Sequence, residues 1–462
     1  VIAKPAIFRE YDIRGVVGKD FDGELAAALG AAYAVVVKRA SGKARPKVGV
    51  GFDCRLSGGE LSSRLMEGLS RAGVDVVNTG MGPTPQLYFS VYNYDLDGGI
   101  QVTGSHNPAD QNGFKMMVGK GSLSGTQIQE LGKLVQDPAV VGHVSAELGV
   151  IEEVDARTAY ISELTDRSLS HMGPRKVKAV VDGGNGVGGL VGPQLLRNLG
   201  CEVIELFTEP DGRFPNHHPD PTVLENIVVL RKRVVSEGAD LGIAWDGDAD
   251  RIGVVDEHGE PIFGDLLLVI FGRQLLKEVS RPIIIGDVKC SDVMFNALRE
   301  DGAEAVMWKT GHSLIKSKLK ELHAHLAGEM SGHVFFAHRY FGFDDAMHAS
   351  ARLVEIVSQT DSPVSALLAD LPKMFTTPEI RFDCPEEIKF KVADAAKQSF
   401  PEYVTNPLDG VRVTFPEGWG LVRASNTQPV LVMRFEATTA EKLVEYQTLV
   451  ERRVGELIAK FS

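Results

Sequence analysis

RKVKAVVDGGNGVGGLVGPQLLRNLGCEVIELF, residues 175–207, reads as a strand, a glycine-rich turn, a helix and a second strand. Two strands joined through a helix imply a parallel sheet covered by helices. The same alternation occurs upstream. GELAAALGAAYAVVVKRA (23–40) has the pattern of an amphipathic helix and KVGVGFD (47–53) that of a strand. LSSRLMEGLSRAG (61–73) then reads as a helix and VDVVNTG (74–80) as a strand. It restarts at RPIIIGDVKC (281–290), followed by a helix and AEAVMWKTG (303–311). Beyond DLPKMFTTPEI (370–380) the texture changes. The strand-like segments GVRVTF, WGLVRAS and PVLVMRFEA precede one long terminal helix, TAEKLVEYQTLVERRVGELIAKF.

The repetition is of pattern, not of literal sequence. It predicts three similar mixed α/β domains over 1–151, 152–256 and 257–371, and a smaller α+β domain over 372–462. The length of 462 residues alone suggests about three domains. The composition, 44% apolar and 24% charged, is that of a globular protein. No apolar run approaches the ~20 residues that span a bilayer. LLLVIF (266–271) fits a core strand or helix. The N-terminal VIAKPAIFREYDIRG lacks a basic segment followed by an apolar one, so no signal peptide is expected, and it starts without Met. Cys54, Cys201, Cys290 and Cys384 form no C-x-x-C pair, which argues against a zinc site or a disulfide framework. A cytoplasmic protein is expected. The net charge of −13 argues against nucleic acid as a partner, and no membrane partner is expected.

Four stretches could carry chemistry. In VTGSHNPADQNGFK (102–115) a short buried strand leads to Ser105 at the tip of an Asn-Pro turn. That serine is either a turn residue or a carrier of a transferable group. In IAWDGDADRIGVV (243–255), Asp246, Asp248 and Asp250 alternate between two apolar runs. Three carboxylates so close repel one another unless a cation lies among them, and an all-oxygen set selects a hard ion such as Mg²⁺. Glu257 falls at the twelfth position of an EF-hand-like loop, but Arg251 stands where that loop needs glycine. In GEMSGH (328–333), Glu329 and Ser331 share a face on an extended segment and suit sugar hydroxyls. In RASNTQP (423–429), Arg423 can grip a phosphate with two hydrogen bonds, and Ser425, Asn426 and Thr427 add donors. Lys289, Lys309 and His312 offer further cations at strand ends.

Gly184-x-Gly186-x-x-Gly189, with Glu205 at the end of the next strand, is the competing motif. It reads either as a dinucleotide fingerprint, hence an NAD-dependent dehydrogenase, or as a tight turn that needs glycine. A magnesium-dependent sugar phosphatase with Asp246 as nucleophile is the other alternative.

YDIRG (11–15), TGSHNP (103–108), NGFK (112–115), DGDADR (246–251), GEMSGH and RASNTQP occur in one order along nearly the whole chain. In that set the sequence resembles the α-D-phosphohexomutases, most closely the bacterial phosphomannomutase/phosphoglucomutase branch. The resemblance implies four domains around a central cleft. It implies reversible transfer of phosphate between C1 and C6 of glucose and mannose phosphates, through a phosphoserine and a 1,6-bisphosphate, for carbohydrate metabolism and polysaccharide biosynthesis. Ser105 matches the phosphoserine. Asp246, Asp248 and Asp250 match the Mg²⁺ ligands, with the Ser105 phosphate as a further ligand. Glu329 and Ser331 match the sugar contacts. Arg423, Ser425, Asn426 and Thr427, with Tyr11, match the loop on the non-reacting phosphate. Arg14, Lys115, Arg251, Lys289, His312 and His333 are expected around the transferring group, with Lys115 and His333 the candidates for general acid and base. Hexose phosphates are the expected partners, glucose 1,6-bisphosphate the expected activator, and a monomer the expected state, with a dimer as alternative. A hinge is expected near Leu371–Pro372. Two departures stand out. Gly104 replaces a common Ala, and Ala249 replaces a common Gly, so residue 249 is expected to avoid positive φ.

Overall fold

The computed structural model describes Lys4, residues 7–425 and residues 430–462. Three sheets repeat one topology. In the first, strands Lys47–Phe52 and Asp75–Met81 are parallel, Gly98–Val102 joins Lys47–Phe52 in parallel, and Gln111–Val118 folds back antiparallel on Gly98–Val102. The second places Lys178–Asp182, Glu202–Leu206, Leu241–Trp245 and Ile252–Val255 in the same order and senses. The third does so with Ile283–Asp287, Glu304–Trp308, Leu326–Gly328 and Val334–Phe336. Extra strands extend the first sheet at Ile13–Val16 and Ile151–Glu153 and the second at Pro261–Ile262. The fourth sheet is antiparallel throughout, with Gly418–Ala424 and Val430–Ala437 at its centre.

Local chemistry sets the helices. Asp22 caps Gly23–Ser41 by accepting from the Glu24 and Leu25 amides, and Gly42 ends it at φ 68°. Thr439 caps Ala440–Phe461, which lays Tyr446, Val450 and Val454 on the fourth sheet at four-residue spacing. LLLVIF lies inside the helix Gly264–Leu276. That helix is apolar on most faces because it packs against both the third sheet and the helix Ala346–Ser358.

Ala346–Ser358 holds the units together. All of its side chains are buried, and it touches helices of the second and third units. Trp245 donates to Ser350 Oγ at 3.0 Å. One apolar core runs from Tyr88 and Phe89 of the first unit through the second unit to Phe336 and Leu353 of the third. The fourth unit has its own core. It docks on the third through Arg412, which stacks 3.6 Å from the Trp419 ring centroid and donates to the carbonyls of Val288 and Cys290 at 2.6 and 2.8 Å.

At the start of Ala346–Ser358, Asp345 caps the helix and accepts from Tyr160 at 2.8 Å and Tyr340 at 2.7 Å. Burial pushes this carboxyl up to about 6 despite those hydrogen bonds. Between about pH 4 and 6 the folded state therefore holds a proton that the unfolded chain has released. Stability falls as pH rises through that window and levels off above it. A shift of that size is worth about 2–3 kcal/mol. Thermal unfolding from pH 4 to 7 should show a steeper loss in the native chain than in Asp345→Asn, whose side chain stays neutral.

Candidate active site

In the first three units the turn after the third strand faces a common cleft, as does the end of strand Gly418–Ala424 in the fourth. These segments hold Ser105, the three aspartates, Glu329 with Ser331, and Ser425 after Arg423. Ligands in open α/β sheets gather at the carboxyl ends of strands for this reason.

Ser105 is buried and adopts φ +50°, an uncommon conformation for a residue with a Cβ. Its hydroxyl donates to Asp246 Oδ2 at 2.9 Å and lies 3.1 Å from His106 Nδ1. Burial, then Arg251, holds the His106 pKa well below the ordinary histidine value. The turn is fixed from beneath by Arg55, whose side chain is fully buried. Its guanidinium donates to the carbonyls of Ser105 (2.7 Å), Asn107 (2.6 Å), Gln111 (2.8 Å) and Pro108. Asp53 pairs with Arg55 at 3.2 Å and accepts from Thr103 Oγ1 at 2.7 Å. A Cβ on residue 104 would stand 2.5 Å from Arg55 Cζ, which explains Gly104 in this chain.

The aspartates occupy a tight turn between Leu241–Trp245 and Ile252–Val255, and all three are fully buried. Asp246 Oδ1 accepts from the Arg251 amide at 3.1 Å. Thr84 Oγ1 donates to Asp248 at 2.5 Å. Lys115 reaches Asp248 at 2.7 Å and also contacts Asp250. Burial, then repulsion from Asp248 and Asp250, pushes Asp246 well above the usual carboxylate range. Burial opposes ionisation of Asp248 as well, but the Lys115 ammonium outweighs it and lowers that pKa. The carboxylates raise Lys115 against its own burial, so it is held as a cation. Oxygens of the three carboxylates lie within 4.8 Å of one another, and Asp248 Oδ1 and Asp250 Oδ1 have no hydrogen-bond partner. That donor set fits a hard divalent cation.

Ala249 takes φ +58°, contrary to the expectation that it avoids the left-handed region. Its amide donates to the Asp246 carbonyl at 3.0 Å, which closes the turn, and its side chain is fully buried in the interdomain core. Packing and the turn bond outweigh a local cost of ~1 kcal/mol.

Glu329 and Ser331 also differ from the extended reading. Residues 329–332 form a turn, with the Gly332 amide on the Glu329 carbonyl at 3.0 Å. The pair still meets, with Ser331 Oγ 3.2 Å from Glu329 Oε2. Glu329 Oε1 accepts from the Gly311 amide at 2.6 Å. His333 pairs edgewise with Arg251, whose Nε donates to His333 Nε2 at 3.0 Å, and its Nδ1 lies 3.2 Å from Asp344 Oδ2. The His312 and His333 rings stack 5.9 Å apart. Burial, followed by Lys316, lowers the His312 pKa well below its ordinary value.

Toward the fourth unit, Asp409 accepts from Arg423 Nε and from the Thr310 amide, both at 3.1 Å. Tyr11 donates to the Thr310 carbonyl at 3.0 Å, and Lys289 pairs with Glu379 at 3.4 Å. Arg14 pairs with Asp12 at 2.7 Å and reaches Asn107 of the serine turn at 3.3 Å. Asn426 and Thr427 lie outside the described residues. Asp53, Arg55, Thr84 and Asp344 were not singled out in the sequence. Their roles depend on contacts between 11 and 164 residues apart or on burial, and only the D-x-R spacing of Asp53 and Arg55 could have flagged one pair.

The glycine fingerprint is structural. A Cβ at Gly189 would fall 1.9 Å from the Thr208 carbonyl, and one at Gly186 would fall 2.8 Å from that of Gly247. Glu205 binds Arg197 at 2.5 Å at the surface. Among the described residues no helix is long and apolar enough to cross a membrane, and the four cysteines are buried and free.

Four family models match in succession: phosphoglucomutase/phosphomannomutase alpha/beta/alpha domains I, II and III, over 5–138, 158–259 and 263–375, and the C-terminal domain over 379–452. The phosphomannomutase/phosphoglucomutase of Pseudomonas aeruginosa is 45% identical over 97% of this chain and 95% of its own. A phosphoglucomutase of Neisseria gonorrhoeae is 44% identical, with 96% and 95% covered. A crystal structure of a phosphoglucomutase/phosphomannomutase family protein from Burkholderia thailandensis superposes with TM-score 0.90 at 42% identity, covering 98% of both chains. The chain therefore belongs to the phosphoglucomutase/phosphomannomutase family, whose architecture is three α/β/α domains and a C-terminal domain. It is an enzyme of the isomerase class, a hexose-phosphate mutase.

Arg55→Ala strips the Ser105 turn of four carbonyl partners and leaves Asp53 buried without its counter-charge. A loss of about 3–5 kcal/mol in stability is expected from an uncompensated buried charge. Denaturant unfolding and mutase assays on the same preparation should show stability and turnover falling together.

Proposed function

We propose that Ser105 carries the transferable phosphoryl group and exchanges it with hexose monophosphates, interconverting the 1- and 6-phosphates of glucose and mannose. The observation that carries this reading is the Ser105 hydroxyl on Asp246, in a strained turn beside three buried carboxylates. In the cycle, phospho-Ser105 gives its group to the free hydroxyl of the sugar phosphate. The 1,6-bisphosphate turns over in the cleft, and its other phosphate returns to Ser105. Phosphoryl transfer relies on in-line positioning and charge neutralisation more than on covalent assistance.

Asp246, Asp248, Asp250 and the Ser105 phosphate would hold Mg²⁺. When bound, the ion neutralises charge on the transferring group. Lys115, Arg14 and Arg251 add fixed positive charge on the same side. Lys115 is held as a cation, so it serves as an electrostatic stabiliser and, while charged, is a poor base. His333 is the candidate to move the hydroxyl proton through Nε2, which requires Arg251 to turn from that nitrogen to the substrate phosphate while Asp344 orients the ring from Nδ1. Glu329 and Ser331 grip sugar hydroxyls. Arg423, Ser425, Asn426 and Thr427, with Tyr11, bind the phosphate that is not reacting, and Lys289 and His312 add polar groups around the transferring one. Closure of the fourth unit about the segment near Leu371–Pro372 keeps water from the phosphoserine.

Dual sugar use has a stereochemical rationale. Glucose and mannose differ only at C2. If Glu329 and Ser331 hold O3 and O4, the epimers look alike to the site, and flipping the bisphosphate roughly exchanges those hydroxyls.

Conversion of glucose 1-phosphate to glucose 6-phosphate, with Mg²⁺ and a trace of glucose 1,6-bisphosphate, should fall by at least a factor of about 10³ in Ser105→Ala. Full activity in that variant would remove Ser105 from the mechanism. Glu329→Ala should lose activity on glucose and mannose phosphates alike, by roughly 10²-fold. Loss on one sugar alone would refute the shared O3/O4 grip.

A further inference from the structure

The seam between the first and third units contains a second cavity, of about 690 Å³, within the range of ~300–1,000 Å³ typical of small-molecule sites. One wall is the end of the hairpin that follows Lys115, from Met117 to Ser122. The other is the last two turns of helix His312–Glu321 and the segment around Phe341. The cavity is separate from the catalytic cleft. His312 opens that helix in the cleft, and Lys320 lies eight residues along it, ~12 Å away at 1.5 Å per residue. The strand that carries Lys115 runs three positions further to Val118, ~10 Å, and Lys120 lies in the turn beyond its end.

Its chemistry runs against the rest of the molecule. The chain has 62 acidic and 49 basic side chains, yet the cavity is lined by Lys120, Lys316, Lys320, Arg339 and three histidines, with no carboxylate. Two of these cations are already engaged, Lys316 with Asp344 at 2.9 Å and Arg339 with Glu355 at 2.6 Å. Lys320 has no ion pair among the described residues, and Lys120 has only exposed Asp95, at 3.8 Å. Arg339 Nε and Nη1 are buried with no hydrogen-bond partner, and its backbone is held at φ +59°. Burying such donors is costly unless something accepts from them. Beside the cations stand Tyr92 and Phe341, partly exposed, with ring centroids 4.7 Å apart, and Lys120 lies over the Tyr92 ring at 5.1 Å.

We propose that this seam is a binding site for a nucleotide, with its phosphates between Lys120 and Lys320 and its base on the Tyr92–Phe341 surface. Cations alone would suit any phosphate. The aromatic wall adds the preference for a ring, since stacking contributes affinity that bare phosphate cannot gain. The two cations come from different units, so an occupied seam ties the first unit to the third at a distance from the cleft.

Calorimetric titration of the full chain with ADP, without magnesium, tests this site. ADP should bind. Lys320→Glu and Lys120→Glu, both at exposed positions, should each weaken binding at least tenfold while keeping native mutase turnover and native unfolding temperature. Pyrophosphate should bind at least tenfold more weakly than ADP, and saturating glucose 1-phosphate should leave the ADP isotherm unchanged. Absence of ADP binding overturns the proposal, as does equal binding by both charge-reversed variants. Displacement by glucose 1-phosphate would place the nucleotide in the catalytic cleft. Equal affinity for pyrophosphate would leave an anion site without base recognition.

Discussion

Three carboxylates with no solvent exposure, packed into one five-residue turn, are the constraint around which this molecule is organised. An unpaired buried charge costs several kcal/mol, and like charges nearby add to it. The second unit cannot balance Asp246, Asp248 and Asp250 alone, because only Arg251 within its turn is basic. The first unit supplies Lys115, the Thr84 hydroxyl and the Ser105 hydroxyl. The third supplies His333, fastened to Arg251 by a backbone bridge and a side-chain bond. The charge that would accept a cation is thus also the bond between domains. The same electrostatic demand builds the cleft and makes it reactive.

One structural device serves three times, and the antiparallel pair Gly418–Ala424 and Val430–Ala437 repeats its strands in the fourth unit. A strand runs to the cleft, turns, and returns antiparallel, and the turn carries the polar groups. In the first and third units the strand beside it ends in a buried aspartate that braces the turn. Asp53 holds Thr103 and Arg55. Asp287 accepts from Thr310 Oγ1 at 2.7 Å and from the Met330 amide at 3.3 Å. In the second unit the equivalent Asp182 turns to Gly184 and His217 instead, and the aspartate turn is braced from the neighbouring units. Rigid strands thus place side chains that loops alone would leave mobile.

Much of this was legible in the chain. Parallel units show as alternating apolar runs, and the terminal helix shows its apolar spacing openly. The serine and aspartate turns are visible because their residues are adjacent in sequence. What escaped is long-range. Arg55 sits fifty residues from the carbonyl it fixes, and beyond its D-x-R spacing nothing around it separates a buried guanidinium from a surface one. Asp345 looks like an ordinary helix cap until Tyr160, 185 residues earlier, closes over it. The expectations about Ala249 and the GEMSGH segment failed for a related reason. At Ala249 a local preference of ~1 kcal/mol was overruled by a turn bond and by burial in the interdomain core. At GEMSGH the bond from the Gly332 amide to the Glu329 carbonyl replaced the extended geometry, with the Gly332 carbonyl accepting from the Ile252 amide of the second unit at 3.0 Å.

The strain at residues 105 and 249 is the complement of that rigidity. Both hold φ near +50° to +58°, in turns that face each other, and Gly247 lies so close to the Ser105 carbonyl that a Cβ there would stand 2.4 Å from it. Neither conformation persists by local preference. Ser105 is held by Arg55 beneath and Asp246 in front, and Ala249 by its amide on the Asp246 carbonyl and its burial in the interdomain core. Both strained turns therefore depend on Asp246, through its carboxylate in one case and its main chain in the other. A rearrangement at that residue would loosen the hydroxyl and the cation-binding turn together, so the group that would meet the metal also governs how firmly Ser105 is presented.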